Sequence, residues 1–188
     1  MRRYKSIAKT CFESGEYAIL PIRDEDKFII MQMRNDQIYH LRQREPLTKE
    51  IQEKYFSTNV ANLFEQDKPP QILFSFIQND ICVGYGGLVH INWIDRHAEI
   101  SFIIKPELEL TYFHTCWIHF LKMLSEVSFN YLGFHKIFTY AFDVRPHLYT
   151  ALEGAGFKKE ATLKEHCFFE NKYIDVVIHS KISYNGHL

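Results

Sequence analysis

Glu99 is the residue best placed in this sequence to move a proton. It stands in "HAEISFII", flanked by Ala98, Ile100 and Phe102. Burial among such neighbours penalises the charged carboxylate and raises its pKa, which suits a general base. The plain alternative is an ion pair with Arg96 or Arg145. A second group, "RNDQIYHLRQRE", gathers Arg34, Asn35, Tyr39, His40 and Arg42. Their guanidinium, amide and aromatic groups suit a sugar or a nucleotide phosphate, or an ordinary polar connection. A third stretch, "ISFIIKPELELTYFHTCWIHF", reads as a strand running into a helix start. Free N–H groups at such a start can hold an anion. No glycine lies between Gly87 and Gly133, however, and Glu107 and Glu109 occupy the junction. "GYGG" precedes a strand rather than a helix, so it marks a bulge or a close backbone approach, not a phosphate loop. The ten histidines show no HExxH or other metal spacing, and no metal site is expected.

These groups need a scaffold, and 188 residues suit one domain with a sizeable core. Hydrophobic residues make up 46% and charged residues 24%, a globular profile. A net charge of −1 offers no electrostatic case for nucleic acid. No apolar run approaches the roughly 20 residues of a membrane helix, and "MRRYKSIAKTCFESGEY" has no apolar signal region. Cys11, Cys82, Cys116 and Cys167 are scattered, which favours reduced thiols and a cytoplasmic location. The sixteen Phe and eleven Tyr are expected to fill the core.

The coarse element order is β-α-α-β-β-β-α-β-α-β-β. "YAILPI" opens as a strand and "RDEDKFIIMQMRND" follows as a short amphipathic helix. Thr48 is the expected N-cap of a second helix, which "DKPP" ends. "QILFSFIQ" and "ICVGYGGLVHINWI" form a hairpin around Asn79-Asp80, and "AEISFIIKP" completes a meander. A long helix runs to Gly133. "HKIFTYAF", "PHLYTALEGAG" and a hairpin around "ENK" close the chain. The fold class is α+β, with a mixed, mostly antiparallel sheet of about seven strands flanked by helices. Residues 1–16 read as an N-terminal extension, 17–182 as the domain and 183–188 as a tail.

That order, with "ILPIRDED", "MRNDQIYH", "ICVGYGGLVHINWIDRHAEISFII" and "LYTALEGAGF", resembles the GCN5-related N-acetyltransferase superfamily, in particular its RimJ/RimL-like branch. Met33 stands where that branch usually has tryptophan. The resemblance implies transfer of an acetyl group from acetyl-CoA to the amine of a small molecule, such as an amino sugar on a nucleotide. It assigns Glu99 as general base and Tyr149 as general acid. Leu152 occupies the family's usual tyrosine position, and Tyr149 lies one helical turn earlier. Ile103 and Ile104 would bind acetyl-CoA through the strand backbone, with Arg145 on a phosphate. Arg34, Asn35, Tyr39 and His40 would line the acceptor pocket. Neither nucleic acid nor membrane is an expected partner, and a homodimer is compatible with the resemblance.

The chain departs from the family at "PELELTYFHT", where glycines normally let N–H groups approach the CoA phosphates. Two rival readings follow. One is a non-catalytic ligand-binding domain that kept the fold with a degenerate CoA site. The other is acetylation of a protein N-terminus.

Overall fold

A computed structural model describes residues 2–41 and 43–183, the side chain of His40 excepted. Eight strands form one sheet: β1 (Phe12–Ser14), β2 (Tyr17–Pro21), β3 (Ile72–Gln78), β4 (Ile81–Asn92), β5 (His97–Ile104), β6 (Lys136–Phe142), β7 (Lys158–Phe169) and β8 (Lys172–Ile182). Their order is β1-β2-β3-β4-β5-β6-β8-β7. Every neighbouring pair is antiparallel except β5–β6. The fold is the mixed α+β architecture expected from the sequence, with one strand more than the seven read there.

The two-residue hairpins follow from turn chemistry. Asn79 and Asp80 have φ of 49° and 63°, and Glu170 and Asn171 have 47° and 61°. Positive φ at both central positions gives a turn whose twist matches the flanking strands. The "GYGG" glycines answer close approach. A Cβ on Gly86 would be driven into the Ser101 carbonyl oxygen, and one on Gly87 into that of Ile72.

The helices are α1 (Lys27–Asp36), α2 (Lys49–Tyr55), α3 (Ala61–Glu65), α4 (Pro106–Glu109), α5 (Phe113–Glu126) and α6 (His147–Gly154). A π-helical stretch, Phe56–Val60, joins α2 to α3, and Val127–Tyr131 extends α5. Thr48 Oγ1 caps α2 by accepting from the Ile51 N–H at 3.3 Å. Gly133, with φ of 64°, lies just past the π extension of α5. The aromatic residues fill the core: Phe102 stacks on Phe120 at 3.7 Å, and Phe76 meets both edge-on.

Residues 1–16, set apart in the sequence as an extension, contribute β1 and the buried Tyr4, Ile7 and Phe12. Tyr4 stacks on Phe64, and its hydroxyl donates to Leu73 O and accepts from Leu73 N, both at 2.9 Å. Tyr4→Phe would strand a buried donor, which costs about 1–3 kcal/mol. Thermal unfolding should register this as a fall of roughly 2–4 °C per kcal/mol; an unchanged melting temperature would show that solvent reaches Leu73.

Candidate active site

The parallel pair β5–β6 is where the sheet opens. Its register runs from His97↔Lys136 to Ile100↔Thr139 and goes no further. The two strands part beyond Ile100, beside Ile103 and Ile104. Lys105 N donates to Val83 O at 2.9 Å. With the β4–β5 register, that bond makes Tyr85↔Ile103, Gly87↔Ser101 and Val89↔Glu99 hydrogen-bonded pairs too. The N–H groups of Phe102 and Ile104 therefore turn away from β4, toward the gap that β6 leaves. This alternation corrects one expectation. Ile103 presents its side chain to the opening, but its N–H belongs to β4. Phe102, missed in the sequence, joins Ile104 as the residue with an N–H on the gap side. The Ile104 carbonyl accepts from the buried Gln37 Nε2 at 2.7 Å, which ties α1 to the strand beside the gap.

The gap is a cleft of about 290 Å³, whose wall includes Glu99, Ser101, Ile103, Arg34, Tyr140 and Arg145. Glu99 sits on its edge with 14% of its side chain exposed, 3.9 Å from His90 Nε2. His90 has φ of 49°, at the irregularity between Val89 and Asn92 in the β4–β5 register. Strand alternation puts Tyr140 on the same sheet face as Glu99, because Phe138 pairs with Glu99 and Tyr140 follows two residues on. The alternating pattern of "KIFTYAF" already signalled that face; only the parting of the strands made it accessible.

Other expected residues stand elsewhere. The Tyr149 hydroxyl donates to Asp143 at 2.7 Å, and its ring stacks on His179 at 5.0 Å. Burial and the Asp143 carboxylate push its pKa up, so it keeps its proton, held outside the cleft wall. Asn35 Nδ2 donates to Leu47 O at 2.9 Å, while its Oδ1 accepts from Leu47 N at 2.7 Å. Both ends of the amide thus pin the connection after α1, rather than line the cleft. Tyr39 is exposed and outside the cleft wall. The His40 side chain and Arg42 lie outside the described residues.

The junction between β5 and α5 carries no glycine loop. Pro106–Glu109 is a helical turn, with Glu107 exposed. Glu109 turns inward, and its Oε1 lies 3.3 Å from Arg145 Nη1, with 15% and 11% of the two side chains exposed. Burial raises the Glu109 pKa against the lowering effect of Arg145. The guanidinium also lies 5.3 Å over the Phe113 ring. The two expected glutamates therefore differ: one faces solvent, and the other is the counter-ion of the expected phosphate-binding arginine.

Behind Tyr149, His179 is buried with neither ring nitrogen hydrogen-bonded. Burial lowers its pKa below the ordinary 6.5. A base with a depressed folded pKa binds its proton more weakly when folded, so stability is fully present above the unfolded pKa. It is lost as pH falls from about 6.5 toward the folded value. His179→Phe should flatten that acid limb in denaturant titrations at pH 7 and pH 5. An unchanged limb would show that other groups set it.

Among the described residues, no helix is long and apolar enough to cross a membrane, and no group of three or more His, Cys, Asp or Glu could hold a metal ion.

Comparison with known proteins agrees with this architecture. The family model described as an acetyltransferase (GNAT) domain matches residues 19–178, and the chain belongs to that family. Spermidine N(1)-acetyltransferase of Vibrio cholerae serotype O1 is 33% identical over 94 residues, half of this chain. The chain spans about half the length of that curated relative, 53%. The crystal structure of spermidine N-acetyltransferase from Vibrio cholerae with CoA and spermine superposes with a TM-score of 0.76. It is 21% identical, over 90% of this chain and 96% of that one. The dodecameric form of the Vibrio cholerae enzyme superposes with a TM-score of 0.73 at 23% identity, over 90% and 95% of the two chains. At such identities the superpositions speak for the fold.

Proposed function

We propose that the chain transfers an acetyl group from acetyl-CoA to the amine of a small molecule. The observation that carries this is the cleft between β5 and β6, with the Glu99 carboxylate on its wall and strand N–H groups turned toward it. When bound, acetyl-CoA supplies the thioester. The Phe102 and Ile104 N–H groups suit its thioester and amide oxygens, since donors fixed by a strand need no reorganisation as charge develops. Glu99 takes the proton that an ammonium must lose before its nitrogen can attack. Tyr140 is on the cleft wall with its hydroxyl 3.4 Å from Cys167 Sγ, and once it turns from that contact it replaces Tyr149 as the donor for the departing sulfur. Arg145 receives a CoA phosphate once Glu109 gives it up.

The nucleotide-linked amino sugar expected from the sequence calls for guanidinium groups, and among the described residues Arg34 and Arg145 are those in the cleft wall. The relatives' names point instead to polyamines. Thiol release from acetyl-CoA, measured with spermidine, spermine and a nucleotide-linked amino sugar, tests the reading; turnover of any of them supports it. One observation favours a second reading, a binding domain without turnover: the helical turn and the Glu109–Arg145 pair stand where the family has its glycine loop. CoA binding by calorimetry with no turnover of any amine would favour that reading.

A further inference from the structure

A second cavity, of about 220 Å³, opens between α1, α2 and β4. Its walls are mostly apolar, with Ile22, Ile30, Leu47, Ile51 and Phe56 beside Gln52, Tyr55 and Tyr85, and Arg34 lies in the walls of both this slot and the main cleft. Arg34 therefore stands where the two meet. Its Nη1 donates to the Tyr85 hydroxyl at 2.6 Å and its Nε to Gln43 Oε1 at 2.9 Å. Both partners are neutral, and among the described residues no carboxylate answers this guanidinium. By contrast, Arg145 has Glu109. The Tyr85 oxygen accepts from Arg34, so its own O–H remains available as a donor, beside the remaining N–H groups of the guanidinium fork.

We infer that Arg34 and the Tyr85 hydroxyl receive the carboxylate of the acceptor, and that an apolar side group of the same molecule fills the slot. This rests on the acetyltransferase reading and names its substrate class: an apolar amino acid or a close relative, with its amine in the cleft that Glu99 lines. A fork matches a carboxylate in two parallel hydrogen bonds. The aliphatic walls lower the local dielectric and strengthen that pair. Apart from Arg34, the polar groups of the lining are the Tyr55 and Tyr85 hydroxyls and the Gln52 amide, whose Nε2 donates to Lys27 O at 2.8 Å. A polyamine would bring two or more positive charges to an unneutralised guanidinium, with Glu99 the one carboxylate in the described cleft wall. The slot has the volume of roughly seven waters in the liquid, enough for an isobutyl or phenyl group.

The test is a panel of α-, β- and γ-amino acids bearing an isobutyl group, each paired with its carboxamide, with spermidine alongside. Acetyl transfer is followed by thiol release. Binding of N-acetylleucine and N-acetylleucinamide is followed by calorimetry without acetyl-CoA. The acid should be preferred over its amide by about 10- to 100-fold, as for a charge-assisted pair. Arg34→Gln should erase the preference, and Arg34→Lys, which keeps the charge without the fork, should retain part of it. Ile51→Trp, at a side chain 52% exposed and so tolerant of change, should block the slot and weaken leucine more than glycine. Acid preference in calorimetry without turnover would uphold this inference and sink the transferase reading. Turnover of amides as fast as acids, or of spermidine in preference to both, would uphold the transferase reading and overturn the inference.

Discussion

Glu99→Gln should lower kcat by about 10²- to 10⁴-fold, the usual contribution of a positioned general base. The substitution keeps the shape and removes the proton acceptor. With 14% of the side chain exposed and a strand backbone on both sides, the fold should be unaffected. The KM for acetyl-CoA should change little, because the carboxylate acts on the amine. Unchanged turnover with a confirmed acceptor would remove Glu99 from the mechanism. His90, 3.9 Å away and largely exposed, is the natural control. His90→Gln should leave kcat within about threefold, as expected of a distant exposed pair.

The second large effect concerns the glutamates that replace the glycine loop. Arg145→Gln should weaken CoA binding by about 10- to 100-fold, the range for a charge-assisted hydrogen bond. Glu109→Gln should act in the opposite direction and tighten CoA by about tenfold at low salt. It removes both a negative charge beside the phosphates and the competitor for Arg145. The gain should shrink as salt rises, since the screening length is about 8 Å at physiological ionic strength. The same substitution should lower the melting temperature of the free protein, because a largely buried guanidinium loses its counter-ion. Tighter binding with lower stability is a signature that a merely structural glutamate would not give. Glu107→Gln, at an exposed position, should change CoA affinity less than about twofold. Equal effects of the two glutamates would show that the Glu109–Arg145 pair plays no part in CoA binding.

Local chemistry was legible in the sequence wherever a few adjacent residues decide the outcome. Asn79-Asp80 and "ENK" determined their hairpins because positive φ is a property of two residues and needs no distant partner. Thr48 capped its helix for the same reason. The strand read in "HAEISFII" placed Glu99 in β5, whose pairing with β6 ends at Ile100. The residues that went astray are those whose fate depends on a partner far along the chain. Tyr4 and Leu73 are 69 positions apart, so nothing near the N-terminus announced a buried bond or the strand that follows it. Glu109 and Arg145 are 36 apart, and nothing near either residue announced their pairing. Tyr149 and Tyr140 both carried a suitable hydroxyl; Asp143 captured one, and the other, on the cleft wall, lies 3.4 Å from Cys167 Sγ. Side-chain type and period fix what a residue can do and which face it takes. Whether its polar atoms remain available is set by burial and hydrogen-bond partners summed over the packed fold, and no local spacing records that sum.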